Sequence, residues 1–172
     1  MSNNSIIIYG NIASGKSSVC RQLAELLPDH RHVCLDDHRI KCWEENPSLG
    51  AGQRDLVAQR NCLQDLHGKL IYETTGVTRF FRQAKKVLDA AGQRLIYIHL
   101  DCPPHLCIRR YQGRLSRGHI QAPFAWGNYS IEQSIYYFHE KQMELTPVIR
   151  INTSKVRPAD AAHFISEWLR KQ

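Results

Sequence analysis

No apolar stretch in this sequence approaches the roughly 18 residues a helix needs to cross a bilayer, so no membrane-spanning helix is expected. The opening Met1-Ser2-Asn3-Asn4 carries no basic residue. The apolar run Ile6 to Tyr9 therefore reads as a strand and not as the core of a secretory signal, and the chain is expected in the cytosol. Six cysteines (Cys20, Cys34, Cys42, Cys62, Cys102 and Cys107) contain no C-x-x-C pair, and nine histidines show no metal-ligand spacing. That argues against a structural zinc and for reduced thiols, several of them in the core. Internal repeats, low-complexity tracts and linkers are also missing, which leaves 172 residues to form one α/β domain.

What is present is an alternation of β-rich apolar runs with helical patterns, the mark of a parallel sheet covered by helices on both faces. Strands are expected at Ser5–Tyr9, His32–Leu35, Lys69–Glu73, Arg94–Leu100 and Val148–Ile151. Between them run a helix to about Leu27, a polar one over Asp37–Glu45, and one over Gln53–Gly68 with Leu56, Leu63 and Leu66 toward the core. Further helices follow over Arg79–Ala91, from Pro103-Pro104 through Arg109-Arg110, over Ile131–Glu144 and after Pro158. The stretch from about 113 to 128 is rich in glycine and arginine, has little periodicity and reads as a small mobile lid. In such sheets ligands collect at the carboxyl ends of the strands, where Asp36, Asp37, Glu73, Thr74, Thr75, Asp101 and Asn152-Thr153-Ser154 all fall.

Gly10-Asn11-Ile12-Ala13-Ser14-Gly15-Lys16-Ser17 is the G-x-x-x-x-G-K-[ST] phosphate-binding loop, in the strand–loop–helix context that supports it. Gly10 and Gly15 allow a tight turn and a close approach of backbone to phosphate. The amides of Ala13 to Ser17, with Ser14 and Ser18 beside them, form an anion nest at a helix N-terminus. Lys16 supplies charge for the β- and γ-phosphates, and Ser17 a hydroxyl for Mg²⁺. The expectation is a P-loop NTPase fold with five parallel strands, taking ATP and Mg²⁺. Asp36 and Glu73 are the carboxylates placed to complete the metal shell, Glu73 reading equally well as a structural hydrogen-bond acceptor. The net charge of +7 and pI near 9.2 add a weak pointer to a polyanionic partner, since triphosphate itself demands cations.

A guanine-reading N-K-x-D is absent, and Leu70-Ile71-Tyr72-Glu73 followed by Thr-Thr-Gly fits a motor-type Walker B poorly. A kinase fits better, because an acceptor hydroxyl needs a carboxylate and the transferring group needs cationic clamps.

Leu35-Asp36-Asp37-His38-Arg39 resembles the D-D-x-R element of phage-type 5′-hydroxyl polynucleotide kinases. The resemblance implies Asp36 as general base and Arg39 as a clamp on the acceptor-side phosphate. Cys102-Pro103 through Arg110-Tyr111-Gln112-Gly113-Arg114 is similar to that family's lid entry, implying that Arg110 and Arg114 face the nucleotide. Glu73-Thr74-Thr75-Gly76 with Arg79 looks more like the zeta-toxin kinases, which phosphorylate a nucleotide sugar. The lead expectation is thus a 5′-hydroxyl polynucleotide kinase. Its alternatives are a small-molecule kinase acting on a nucleoside, nucleotide or nucleotide sugar, and a module that binds ATP without turnover.

Some residues carry plainer readings as well. Asp36 and Asp37 are good helix N-caps, Asp37 reading also as a ligand to Mg²⁺-bound water, and Arg109 and Arg117 suit a solvated face. Tyr137 and Phe138 sit at core spacing from Ile131 and Ile135, while Trp126, Tyr129 and Tyr136 offer base-stacking faces. The resemblance to related kinases implies that Asn152-Thr153-Ser154-Lys155, after the last strand, borders the adenine.

Overall fold

The computed structural model describes residues 4–118 and 129–172. Its sheet has five parallel strands: β1 (Asn4–Gly10), β2 (Arg31–Cys34), β3 (Leu70–Thr74), β4 (Arg94–Asp101) and β5 (Ile149–Asn152), in the order β2-β3-β1-β4-β5. The helices are α1 (Lys16–Leu26), α2 (Leu35–Glu45), α3 (Ala51–Gln64), α4 (Arg79–Ala90), α5 (Pro104–Leu115), α6 (Ile131–Met143) and α7 (Pro158–Arg170).

The three central strands read as near-continuous apolar runs because both of their faces are covered. Alternation then sorts side chains between two cores. Ile6, Ile8, Ile98 and Leu100 pack with Val19 and Leu23 of α1 and Ala161, Ala162 and Ile165 of α7. Ile7 and Tyr72 face the other way, onto Leu66, Phe80, Phe81, Ala84 and Leu88. A smaller cluster of Cys102, Cys107 and Ile135, with Ile12 against it, joins α5 and α6 to the loop after β1. All six cysteines are buried and unpaired, as expected of reduced thiols.

Several expectations need correction. Leu56 is 67% exposed, because the buried face of α3 is set by Ala58 and Cys62 with Leu66 beyond the helix end, and Leu56 lies off that stripe. Leu35 opens α2 and does not end β2, so Asp36 and Asp37 lie in the first helical turn and Cys34 is the N-cap. Neither aspartate caps the helix; there they complement its dipole. The helix α5 runs on to Leu115, so the first residues assigned to the lid are helical. The rest of that segment, with Trp126, lies outside the described residues.

Candidate active site

The loop between β1 and α1 is held open by its own backbone. Ala13 adopts φ 56°, the only positive φ of a non-glycine residue among those described, and Gly15, the residue before α1, adopts φ 98°. Gly15 is there for its conformation, since an added Cβ would meet nothing within 4 Å. Gly10 is required for a different reason: a Cβ there would stand 2.5 Å from the carbonyl oxygen of Leu100 and 2.9 Å from Ser14 Oγ. The close approach that Gly10 permits among the described residues is to the neighbouring strand β4.

Asn11 organises this loop, and nothing in the motif singles it out. Its Nδ2 donates to the Ile135 carbonyl of α6 at 2.7 Å, its Oδ1 accepts from the Ile12 amide at 2.8 Å, and its own carbonyl accepts from Lys16 Nζ at 2.8 Å. The side chain is 1% exposed. A signal did exist in retrospect: a buried-loop asparagine with two donors and an acceptor is a natural brace.

Ser17 Oγ donates to Glu73 Oε1 at 2.7 Å, and His32 Nε2 lies 3.1 Å from Glu73 Oε2. Burial pushes the Glu73 carboxyl up, but the His32 and Ser17 hydrogen bonds and the nearby Lys16 charge outweigh it, and the net shift is downward. Glu73 is thus a structural hydrogen-bond acceptor for Ser17 and a partner of His32. Ligand atoms of Cys20, His32 and Glu73 lie within 4.8 Å of one another. A hard cation prefers oxygen donors, so of these groups the Ser17 hydroxyl and the Glu73 carboxylate are the ones that would suit Mg²⁺, and the thiol and imidazole are not.

Asp36 stands on the floor of the same cleft. It is 47% exposed to that cleft, yet surrounded by enough protein that burial raises its pKa; Arg39 opposes the shift and Glu73 adds to it. Arg39 does not reach out as a free clamp. Its Nε donates to Asp55 Oδ1 at 2.7 Å and its Nη1 to Asp36 Oδ1 at 3.2 Å, leaving it 17% exposed. Asp55, on α3, is a partner that the sequence pattern did not reveal.

On the other flank Arg110 Nη2 donates to the Thr153 carbonyl at 2.8 Å and Nη1 to Cys102 Sγ at 3.4 Å. Arg110, Arg114, Thr153 and Ser154 line a groove of about 380 Å³ that begins at Ala13, Ser14 and Gly15. Ser18 follows on α1, half-buried. Arg109 and Arg117 are exposed, as the plainer reading had them. A second cavity of about 510 Å³ runs from Lys16 and Ser17 past Asp36 to an aromatic wall of Tyr72, Phe80, Tyr137 and Phe138. Phe138 is buried as expected, but Tyr137 is 52% exposed and faces this cavity, so the helical spacing did not make both residues core.

The donor set fits a nucleotide with its metal. Ser14 Oγ is buried with no partner, in a loop whose amides are presented by positive φ at Ala13 and Gly15, and Lys16, Ser17 and Glu73 stand within reach of one another. The sheet order, the glycine-bounded loop and the covering helices define the P-loop NTPase fold.

The chain belongs to the AAA domain family, whose profile matches residues 6–133. No curated protein matches its sequence at a significant level. Among solved structures, one from Chloroflexus aurantiacus is similar at 13% identity and TM-score 0.69, over 99% of this chain and 98% of that one. Shikimate kinase from Acinetobacter baumannii, in complex with shikimate, is similar at 20% identity and TM-score 0.62, over 98% and 93%. The APS kinase of Mycobacterium tuberculosis, in complex with AMPPNP and APS, is similar at 18% identity and TM-score 0.61, over 98% of both chains. These likenesses bear out the expected fold. The finer grouping with polynucleotide kinases draws no support from them. No helix among the described residues is long and apolar enough to cross a membrane.

Proposed function

We propose that this chain is an ATP- and Mg²⁺-dependent kinase that transfers the γ-phosphate to a hydroxyl group of a small molecule. The observation that carries the reading is one cavity of about 510 Å³ lined by Lys16 and Ser17 of the P-loop and by Asp36. That size and its aromatic wall suit a compact metabolite and not a strand threaded from solvent. The similar kinases, in complex with shikimate and with APS, favour the small-molecule alternative over the nucleic-acid 5′ end.

In this reading the amides of Ala13 to Ser18 and the Lys16 ammonium bind the phosphate chain. Arg110 and Arg114 stand at its distal side with Thr153 and Ser154 beside the base, and Arg110 is fixed by the Thr153 carbonyl. Ser17 and Glu73 would hold the metal, with Asp36 close enough to share its water shell. The chemistry a divalent cation supplies there when bound is neutralisation of charge on the phosphate oxygens. Asp36 accepts the proton of the acceptor hydroxyl, and Arg39, paired to Asp36 and braced by Asp55, keeps that carboxylate oriented.

The test is transfer of label from γ-labelled ATP to a panel of small alcohols and to a 5′-hydroxyl oligonucleotide. Transfer to a member of the small panel, abolished by Asp36→Asn, is the expected result. Labelling of the oligonucleotide alone would return the acceptor to nucleic acid, and an unchanged Asp36→Asn rate would remove Asp36 as the base.

A further inference from the structure

The acceptor half of the cleft has a charge balance that narrows what it can take. Resting on the phosphotransfer reading above, we propose that the acceptor is an uncharged, ring-bearing alcohol of nucleoside size, and not a metabolite carrying its own phosphate or carboxylate.

Among the described residues, the cations lining the cavity are Lys16, Arg39 and Arg114. Lys16 is the P-loop lysine, tethered to the Asn11 carbonyl, and Arg114 also lines the groove on the nucleotide side. Only Arg39 remains for the acceptor. It already serves two carboxylates, Asp55 at 2.7 Å and Asp36 at 3.2 Å, so an acceptor anion would have to displace one of them. Asp36 and Glu73 add negative charge to the same cavity, which repels an anion further. Residues 119–128, His119 to Asn128, contain no lysine and no arginine, so that stretch has neither to contribute.

What the cavity does offer is flat apolar surface and neutral polar groups. Of the aromatic residues lining it, Tyr72, Phe80 and Phe138 are almost fully buried, and Tyr137, about half exposed, is open to a ligand. Aromatic faces reward a flat ring by stacking and add nothing for a bare anion. Thr75 and Ser134 line the same space, and Thr75 Oγ1 is buried with no partner. An unpartnered hydroxyl calls for a hydroxyl, amide or ring nitrogen on the ligand. A site built this way discriminates in the sense of unpaired charge: the anionic analogue loses hydration and finds no free cation.

The experiment compares matched pairs with ATP held constant: a nucleoside against its own monophosphate, and a cyclic alcohol against its carboxylated analogue. Calorimetry measures ATP binding in parallel. The neutral member of each pair is expected to have at least about a tenfold higher kcat/KM. A reversed ranking in an active enzyme overturns the inference while leaving the kinase reading intact. If ATP binds and no acceptor is phosphorylated, the kinase reading itself falls and this inference falls with it. A second variant, Asp55→Asn, releases one side of Arg39 and is expected to shift the anionic-to-neutral ratio of kcat/KM upward by about tenfold. An unchanged ratio in a folded Asp55→Asn protein would overturn the charge argument.

Discussion

On one side of Lys16 the cleft is walled by main chain: amides presented at Ala13 and Gly15, the Thr153 carbonyl that fixes Arg110, and the strand β4 carbonyl that leaves no room beside Gly10. On the other side it is walled by side chains from β3, α2, α4 and α6, with Asp36 and Arg39 joined to Asp55 of α3 in one charged chain and Tyr137 lining the open space. A main-chain wall can be made by many sequences, since it reads the same phosphate in each. A side-chain wall is rewritten by every substitution. The difference explains how structures only 18–20% identical to this chain share its fold while one holds shikimate and the other APS. It also predicts that the two walls can be damaged separately.

The largest separation is expected from Asp36→Asn, which should lower kcat by about 10²–10⁴ while leaving ATP affinity in place. Steady-state transfer and calorimetry on the same preparation measure both. Loss of the two together would show that the walls are not independent. Next comes Arg110→Ala, which removes a charged hydrogen-bonding group from the nucleotide side. The KM for ATP should rise about ten- to a hundredfold, with the acceptor KM unmoved.

Gly10→Ala tests the main-chain wall directly. A methyl group 2.5 Å from the Leu100 carbonyl must push β1 and β4 apart, and a loss of about 1–3 kcal/mol is expected in urea unfolding. A variant as stable as the parent would show that this wall can give.

The smallest effects are in pH. Burial holds Asp36 above its ordinary value of 3.8, so the acid limb of kcat/KM should sit higher than a free carboxylate would place it, with activity gained as pH rises. For stability the sign reverses. A group whose folded pKa is raised contributes stability below its unfolded value and loses it as pH rises through the folded one. Asp36→Asn should therefore melt higher than the parent at neutral pH. Glu73, held below its ordinary 4.5, contributes stability above that value and loses it as pH falls, so Glu73→Gln should melt lower at neutral pH. Thermal melts of both variants across pH 3 to 8 would sharpen the contrast, and shifts of the same sign would break it.

Legibility followed the same division. The strands were readable because a parallel sheet buried on both faces imposes long apolar runs such as Ile6–Tyr9 and Leu95–Ile98. The phosphate loop was readable because its spacing is dictated by local backbone geometry. Boundaries slipped by a residue where strand meets helix, as at Leu35, because β2 and α2 abut there with no turn residue between them. The pairing of Arg39 was hidden for a deeper reason. Its partner Asp55 lies on a different helix, and only the packing of α2 on α3 brings the two within 2.7 Å.

The amino-acid order by itself determined that a glycine-bounded P-loop would follow the first strand of a parallel α/β sheet, since local spacing and burial periodicity suffice for that. It also determined that carboxylates would gather at one rim, because that rim is where parallel strands end. Only the tertiary structure decided what those groups do to one another: that Glu73 is shared by Ser17 and His32, that Arg39 is neutralised before any substrate arrives, and that Tyr137 faces a cavity while Phe138 is buried. Such pairings depend on residues far apart in the chain meeting at distances of about 3 Å, where Coulomb and hydrogen-bond energies change steeply with position.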